Sequence, residues 1–190
     1  MTIIADYVDG DIASLACDSQ GSTHSVCFNY GNKIIKKNNY FVGVSGSYRV
    51  MDIIKESKEL PKEINCLKDL HLFRDTLMKT VIKKGLTIEK STNKDGETIN
   101  HQLYILIATT IGLVSLDCDY QLHVTRNGYY ATGAGENIAL GSLFNSHKNK
   151  DKKNSFNIAK LAAQAANAHS PWCGGSIYTA SVILNKRKNK

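Results

Sequence analysis

Hydrophobic periodicity along this chain switches between two and 3.6 in a fixed order, and that order limits the folds open to it. Strand-like alternation recurs between Ile3 and Ser45, helical spacing over Tyr48–Glu59 and Leu67–Lys84, alternation again from Leu103 to Thr132, helical spacing over Glu136–Phe144 and Phe156–Ala168, and a last alternating run from Ser176 to Leu184. Strands, two helices, strands, two helices and a strand suit two stacked sheets covered by layers of helix. At 190 residues the chain can bury a substantial core, and no repeat or linker divides it, so a single domain over 1–190 is expected.

The first hairpin is the clearest local signal. Ile3–Val8 and Asp11–Cys17 flank Asp9-Gly10, a dipeptide suited to a two-residue turn with positive φ. Pairing Val8 with Asp11 sets Thr2 opposite Cys17, with Asp18 at the same strand end. After a polar loop over 19–32, Lys33–Lys36 and Tyr40–Ser45 form a second hairpin through Asn38-Asn39. Pairing Lys37 with Tyr40 there sets Lys33 against Val44 and next to Gly43. The two hairpins thus gather Thr2, Asp18, Lys33 and Gly43 at strand ends. In the helical segments, Val50, Ile53 and Ile54, and then Leu70, Phe73, Leu77 and Val81, recur three and four apart as core-facing stripes.

The formal charge of +7 invites a nucleic-acid partner, but its placement argues against one. Much of the excess lies in Lys83–Lys94, in a basic loop near 147–154 and in a basic tail over 186–190. Without interleaved aromatics such runs read as solvated segments. The stretch 86–101 reads as a polar loop or an extended hairpin. No apolar run nears the roughly 20 residues that cross a bilayer, and the N-terminus lacks a signal-peptide pattern. A cytoplasmic protein without membrane contact is expected. Five widely spaced cysteines read as reduced thiols, and the dispersed histidines make no metal motif, so neither a cofactor nor a metal is expected.

A resemblance emerges from these residues. Thr-Ile-Ile-Ala from Thr2, Ala-Cys-Asp-Ser at 16–19, Gly-Asn-Lys at 31–33 and Val-Gly-Val-Ser-Gly at 42–46 begin the pattern. Thr-Gly-Ala-Gly at 132–135, Ala-Leu-Gly at 139–141 and Cys-Gly-Gly at 173–175 complete it. In order and spacing the chain resembles proteasome β-subunits and HslV, particularly short bacterial and bacteriophage versions. The resemblance implies an α+β protein, the four-layer αββα sandwich of the N-terminal-nucleophile (Ntn) hydrolases.

It also implies a threonine peptidase. Removal of Met1 would expose Thr2 as nucleophile, with Asp18 as the acidic orienter, Lys33 as the activating lysine and the backbone N–H of Gly43 as an oxyanion donor. A threonine hydroxyl is a weak nucleophile, and its own α-amine can serve as base, with an ordinary pKa of about 7.7–8.0. Peptide or unfolded-protein substrates, a homo-oligomeric ring and an unfolding ATPase belong to the same implication. The setting would be the cytoplasm, that of a host or else a virion if the protein is phage-encoded. The chain departs from the pattern at Ala134, where many members carry serine, at Ser170, where aspartate is common, and at Cys173, where serine or threonine stands. These departures leave open a catalytically inactive subunit with an assembly or structural role, for example in a bacteriophage particle. Cys17 and Cys173 are reactive-thiol candidates by proximity alone, and no spacing supports His169 as their base.

Overall fold

A computed structural model describes residues 2–22, 26–86, 91–92, 98–99, 103–125, 127–149 and 154–185. The chain opens with the hairpin of β1 (Ile3–Asp9) and β2 (Ile12–Asp18), then β3 (Gln20–Ser22), β4 (Cys27–Asn29), β5 (Ile34–Lys36) and β6 (Phe41–Ser45). Helices α1 (Tyr48–Glu56) and α2 (Leu67–Lys83) follow, then β7 (Ser91–Thr92), β8 (Thr98–Ile99), β9 (Tyr104–Thr109), β10 (Gly112–Leu116), β11 (Leu122–Val124) and β12 (Tyr129–Gly133). Helices α3 (Glu136–Lys148) and α4 (Ser155–His169) and the final strand β13 (Ile177–Ile183) complete it.

Two antiparallel sheets stack face to face, one in the order β12-β1-β2-β13, the other β11-β10-β9-β6-β5. Three apolar cores separate four layers. Ile4, Leu15, Ile34 and Leu106 fill the space between the sheets. Ile3, Ala5 and Ala16 pack against Leu143 of α3 and the small face Ala159, Ala162, Ala163 and Ala166 of α4. Val42, Val44 and Ile105 pack against Ile54 of α1 and Phe73 and Leu77 of α2. The alanine face explains the close seat of α4, since small side chains let a helix approach a sheet. Helix starts are fixed locally: Ser47 accepts from Val50 N at 3.3 Å and Asn154 from Asn157 N at 3.0 Å. The expected αββα architecture is therefore the observed one.

Several local expectations need correction. In the first hairpin Asp9 pairs with Ile12 and Ile4 with Cys17, so the turn centres on Gly10-Asp11, with Gly10 at φ +54°. The register lies two residues from the expected one. An even slip keeps every side chain on its face, and the observed pairing puts Val8 beside Ala13 in the core between the sheets. The 19–32 loop contains the short β3–β4 hairpin. Helix α3 runs four residues beyond Phe144 into the basic segment, where His147 Nδ1 lies 3.3 Å from Tyr7 Oη and the ring packs on Tyr129 at 5.2 Å. Within 86–101, β7 pairs with β8, the extended-hairpin alternative. Residues 150–153 and the tail 186–190 lie outside the described residues. The second hairpin has the expected register, with Ile34 on Gly43 and Lys36 on Phe41.

Two features of the inter-sheet space generate measurable consequences. A Cβ on Gly43 would stand 2.7 Å from Ile4 Cγ2, so the sheets meet at a point where only glycine fits. Gly43→Ala should lower stability by about 1–3 kcal/mol through overpacking, read as a fall in the urea midpoint with unchanged slope. Asp6 on β1 is fully buried; its Oδ1 accepts from Tyr130 N and its Oδ2 has no partner. Burial pushes the Asp6 carboxyl well above the ordinary carboxylate range, against the pull of the Tyr130 N–H. A raised acid holds its proton in the folded state while the unfolded chain loses it, so its contribution declines as pH rises above the ordinary carboxylate value. Asp6→Asn should therefore melt at a higher temperature than the parent at pH 8, with the gap closing toward pH 4.

Candidate active site

Three strand ends converge where the first two hairpins meet. Thr2 precedes β1, Asp18 ends β2 opposite Ile177 of β13, and Lys33 leads into β5, its carbonyl accepting from Val44 N at 3.2 Å. Thr2 is 3% exposed, and Asp18 and Lys33 are fully buried. Lys33 Nζ donates to Asp18 Oδ1 at 2.5 Å, to the Gln20 carbonyl at 2.5 Å and to Thr2 Oγ1. An ammonium has three N–H bonds, and all three are used. Thr2 Oγ1 in turn donates to Asp18 Oδ1 at 2.5 Å, Ile3 N donates to the same oxygen at 3.1 Å, and Gly174 N donates to Oδ2 at 3.0 Å.

Electrostatics here are set by removal from water. Burial lowers the Lys33 ammonium below its ordinary value, and the charge and hydrogen bond of Asp18 oppose that shift. The cation thus stands against the threonine hydroxyl, where it favours any negative charge developing on Oγ1. Gly133, at φ +106°, lies so close that an added Cβ would sit 2.2 Å from the Thr2 carbonyl oxygen. That approach brings the β12–α3 turn over the threonine. A cavity of about 380 Å³ opens onto Thr2, lined also by Ser45, Gly46, Tyr104, Gly133, Ala134 and Glu136. A second cavity, of about 600 Å³, lies at the opposite turn end of the sheets and has Asp11 as its one ionisable lining residue.

Three of the four expected site residues therefore come together, and Gly43 does not join them. It sits inside the sheet, paired with Ile34 of β5 and Leu106 of β9. Lys37 N bonding Tyr40 O, and Val44 N bonding Lys33 O, make the 37/40 and 33/44 pairs the bonded ones between β5 and β6. The alternation turns the N–H of Gly43 toward Leu106, into the ladder, and its place is the close packing of the two sheets. The second glycine of Val-Gly-Val-Ser-Gly, Gly46, lies just past the last β6–β9 pair, Ser45–Tyr104, and lines the cavity. The motif holds both glycines, and the end of the ladder is the signal that separates them. Glu136 and Tyr104 were also missed, since neither belongs to a motif.

The departures from the family pattern have local explanations. Ser170 ends α4, and its hydroxyl accepts from Trp172 N at 3.3 Å. Cys173 packs against Gly135, where an added Cβ would stand 2.8 Å from its Sγ. Burial pushes the Cys17 and Cys173 thiols up to about 11, so neither offers a thiolate at neutral pH. His169 is exposed in the last turn of α4. Among the described residues no three metal-ligating side chains cluster, and no helix is long and apolar enough to cross a membrane.

No family model and no curated protein matches the sequence. Solved structures do match its fold. BPH of Thiobacillus denitrificans in complex with epoxomicin superposes with a TM-score of 0.79 at 16% identity, over 96% of this chain and 99% of that one. BPH alone gives a TM-score of 0.79 at 16% identity, over 97% and 99%. HslV of Trypanosoma brucei gives 0.67 at 16% identity, over 95% and 99%. The fold is thus the proteasome-like fold of the Ntn hydrolases, spanning nearly the whole chain.

The Lys33–Asp18 pair should dominate stability around the site. Asp18→Asn leaves a buried ammonium without its counter-charge and should cost about 3–5 kcal/mol. Lys33→Met added to Asp18→Asn should restore part of that loss, measured as a double-mutant cycle by denaturant unfolding.

Proposed function

We propose that the protein is a threonine peptidase that hydrolyses peptide bonds through Thr2 once Met1 has been removed. The observation that carries this reading is the buried Lys33 ammonium, held by Asp18 and hydrogen-bonded to the Oγ1 of Thr2, a residue that lines an open cavity. In this reading Thr2 Oγ1 attacks the scissile carbonyl carbon and its proton passes to the freed Thr2 amine. Lys33 keeps that amine neutral by charge repulsion and stabilises the developing alkoxide. The N–H of Gly46, beyond the end of the ladder, takes the place expected of Gly43 as oxyanion donor, a contribution of about 2.7–4 kcal/mol in known sites. Collapse expels the leaving amine with the proton, and water then hydrolyses the ester on Oγ1. Asp18 acts through Lys33 as a positioning residue.

By the same reading the subunits assemble into a homo-oligomeric ring in the cytoplasm, with the cavities inside and an unfolding ATPase supplying substrate. The support is the fold shared with HslV.

The test begins with the intact mass of protein from its native source, which should lack Met1. Such protein should then form a covalent adduct on Thr2 with a β-lactone or with epoxomicin, the compound held by the BPH neighbour. Labelling should be absent in Thr2→Ala and at least about a hundredfold slower in Lys33→Ala, as losing a positioned charge at a reacting centre commonly costs. Its rate should rise with pH as the amine loses its proton, levelling near or below the ordinary value of about 8. If processed protein forms no adduct while Thr2→Ala assembles normally, the peptidase reading fails and an inactive, structural subunit replaces it.

A further inference from the structure

One wall of the Thr2 cavity is a ribbon that belongs to neither main sheet. Among the described residues β3 pairs with β4 alone, and a two-stranded hairpin is marginal by itself in water, so its place depends on what its free edge meets. Tyr30 N bonds Ser19 O at 2.8 Å, which makes 19/30 and, two along, 21/28 the bonded pairs of the ribbon. Gln20 and Ser22 therefore turn their backbone groups outward, away from β4. At Gln20 that edge is taken up: its N donates to Gly174 O at 3.1 Å, and its carbonyl accepts from Lys33 Nζ at 2.5 Å. Ser22 lines the cavity, and its outward N–H meets the hydroxyl of Tyr48.

Tyr48 is the first residue of α1, two residues past Gly46, which lines the same cavity. Its side chain crosses from the β6–α1 turn to β3. Aromatic packing fixes the ring: Tyr30 stacks on it with 4.2 Å between centroids, and Phe28 of β4 lies 5.9 Å away. Gly21 makes room for this arrangement, since an added Cβ would stand 2.7 Å from Tyr48 Oη and 2.5 Å from Phe28 Cε2. Tyr30 is itself held to α1, where its hydroxyl donates to Asp52 Oδ1 at 3.4 Å and Lys55 Nζ sits 5.4 Å from its ring centroid. β3 is thus anchored at Gln20 by Lys33 and Gly174, and at Ser22 by α1. Releasing the second anchor loosens the strand that supplies Lys33 with its third acceptor.

We propose that Tyr48 is a positioning residue for the Thr2 site, a clasp that fixes the β3 wall relative to Gly46 and, through the Gln20 carbonyl, aims the Lys33 ammonium at Thr2 Oγ1. Its effect on rate rests on the peptidase reading, whereas the clasp itself is measured without it. In the unprocessed chain, amide exchange at Ser22 should be about tenfold faster in Tyr48→Phe than in the parent, the size of one hydrogen bond. In processed protein the same variant should take a β-lactone on Thr2 about tenfold more slowly. A shift of about 1 Å commonly costs a hundredfold, and the stacked ring limits the shift. The pH midpoint of labelling should also move up toward the ordinary amine value, because a cation held less firmly repels the protonated amine less. Asp18, Cys173, Glu136 and Tyr104, the other ionisable groups around Thr2, are unsubstituted in this comparison. Gly21→Ala, whose Cβ would displace the Tyr48 hydroxyl, should reproduce all three changes. Tyr40→Phe is the control for stability alone. It deletes a buried hydroxyl bonded to Pro61 O at 2.7 Å in the core that α1 covers, and it should label like the parent. Unchanged exchange at Ser22 in both variants, or faster exchange with the labelling rate and pH midpoint of the parent, overturns the proposal. A processed parent that takes no label removes the peptidase reading instead, and exchange at Ser22 then decides the clasp by itself.

Discussion

Burial of the Lys33 ammonium against Asp18 is the constraint around which this end of the molecule is arranged. Removing a charge from water carries a penalty of several kcal/mol, which the interior tolerates only where every donor and acceptor is met. Lys33 meets three acceptors, and Asp18 accepts hydrogen bonds from Lys33, Thr2, Ile3 and Gly174. Those partners belong to the start of β1, the end of β2, the lead into β5 and the loop before β13. One ion pair therefore ties four chain segments, and the position of Thr2 follows from it.

The pair can be buried because the sheets approach closely nearby. Gly43 lets Ile4 press against β6, and the tight β12–α3 turn at Gly133 closes over the Thr2 carbonyl. The same tightness leaves polar groups of the inter-sheet space unmatched farther along, at Asp6 Oδ2 and Thr132 Oγ1. The well-satisfied end and the under-satisfied edge differ in chemistry. The first holds a cation against a hydroxyl, and the second leaves a carboxyl and a hydroxyl without partners. Tyr104 lines both the cavity at Thr2 and the smaller one at that edge.

Cysteine placement shows how burial separates nearness from reactivity. Cys17 and Cys173 lie close to Lys33, whose charge lowers their thiols, yet burial outweighs it and both rise to about 11. Thr2, by contrast, touches the cation directly and faces an open cavity. Ser170, in place of the aspartate common in the resembled family, spends its hydroxyl on the turn after α4.

The order of elements, the second hairpin's register and the meeting of Thr2, Asp18 and Lys33 were legible in the sequence, because alternation and turn residues act over a few positions. The first hairpin's register was not, since Asp9-Gly10 and Gly10-Asp11 both suit a turn, and the packing of Val8 beside the apolar Ala13 rather than Asp11 separates them. Gly43 and Gly46 illustrate the same division. Sequence pattern marks both as glycines beside a strand end, and only pairing with Leu106 on β9, more than sixty residues away, shows which N–H is consumed and which lies past the ladder. Helix α3 outran its apolar pattern for a like reason, because His147 found Tyr7 and Tyr129 on distant strands. Glu136 gave no local signal at all. Its partial burial exists only once α3, β9 and β12 come together around the cavity, because solvent access is a property of the packed layers and not of any stretch of chain.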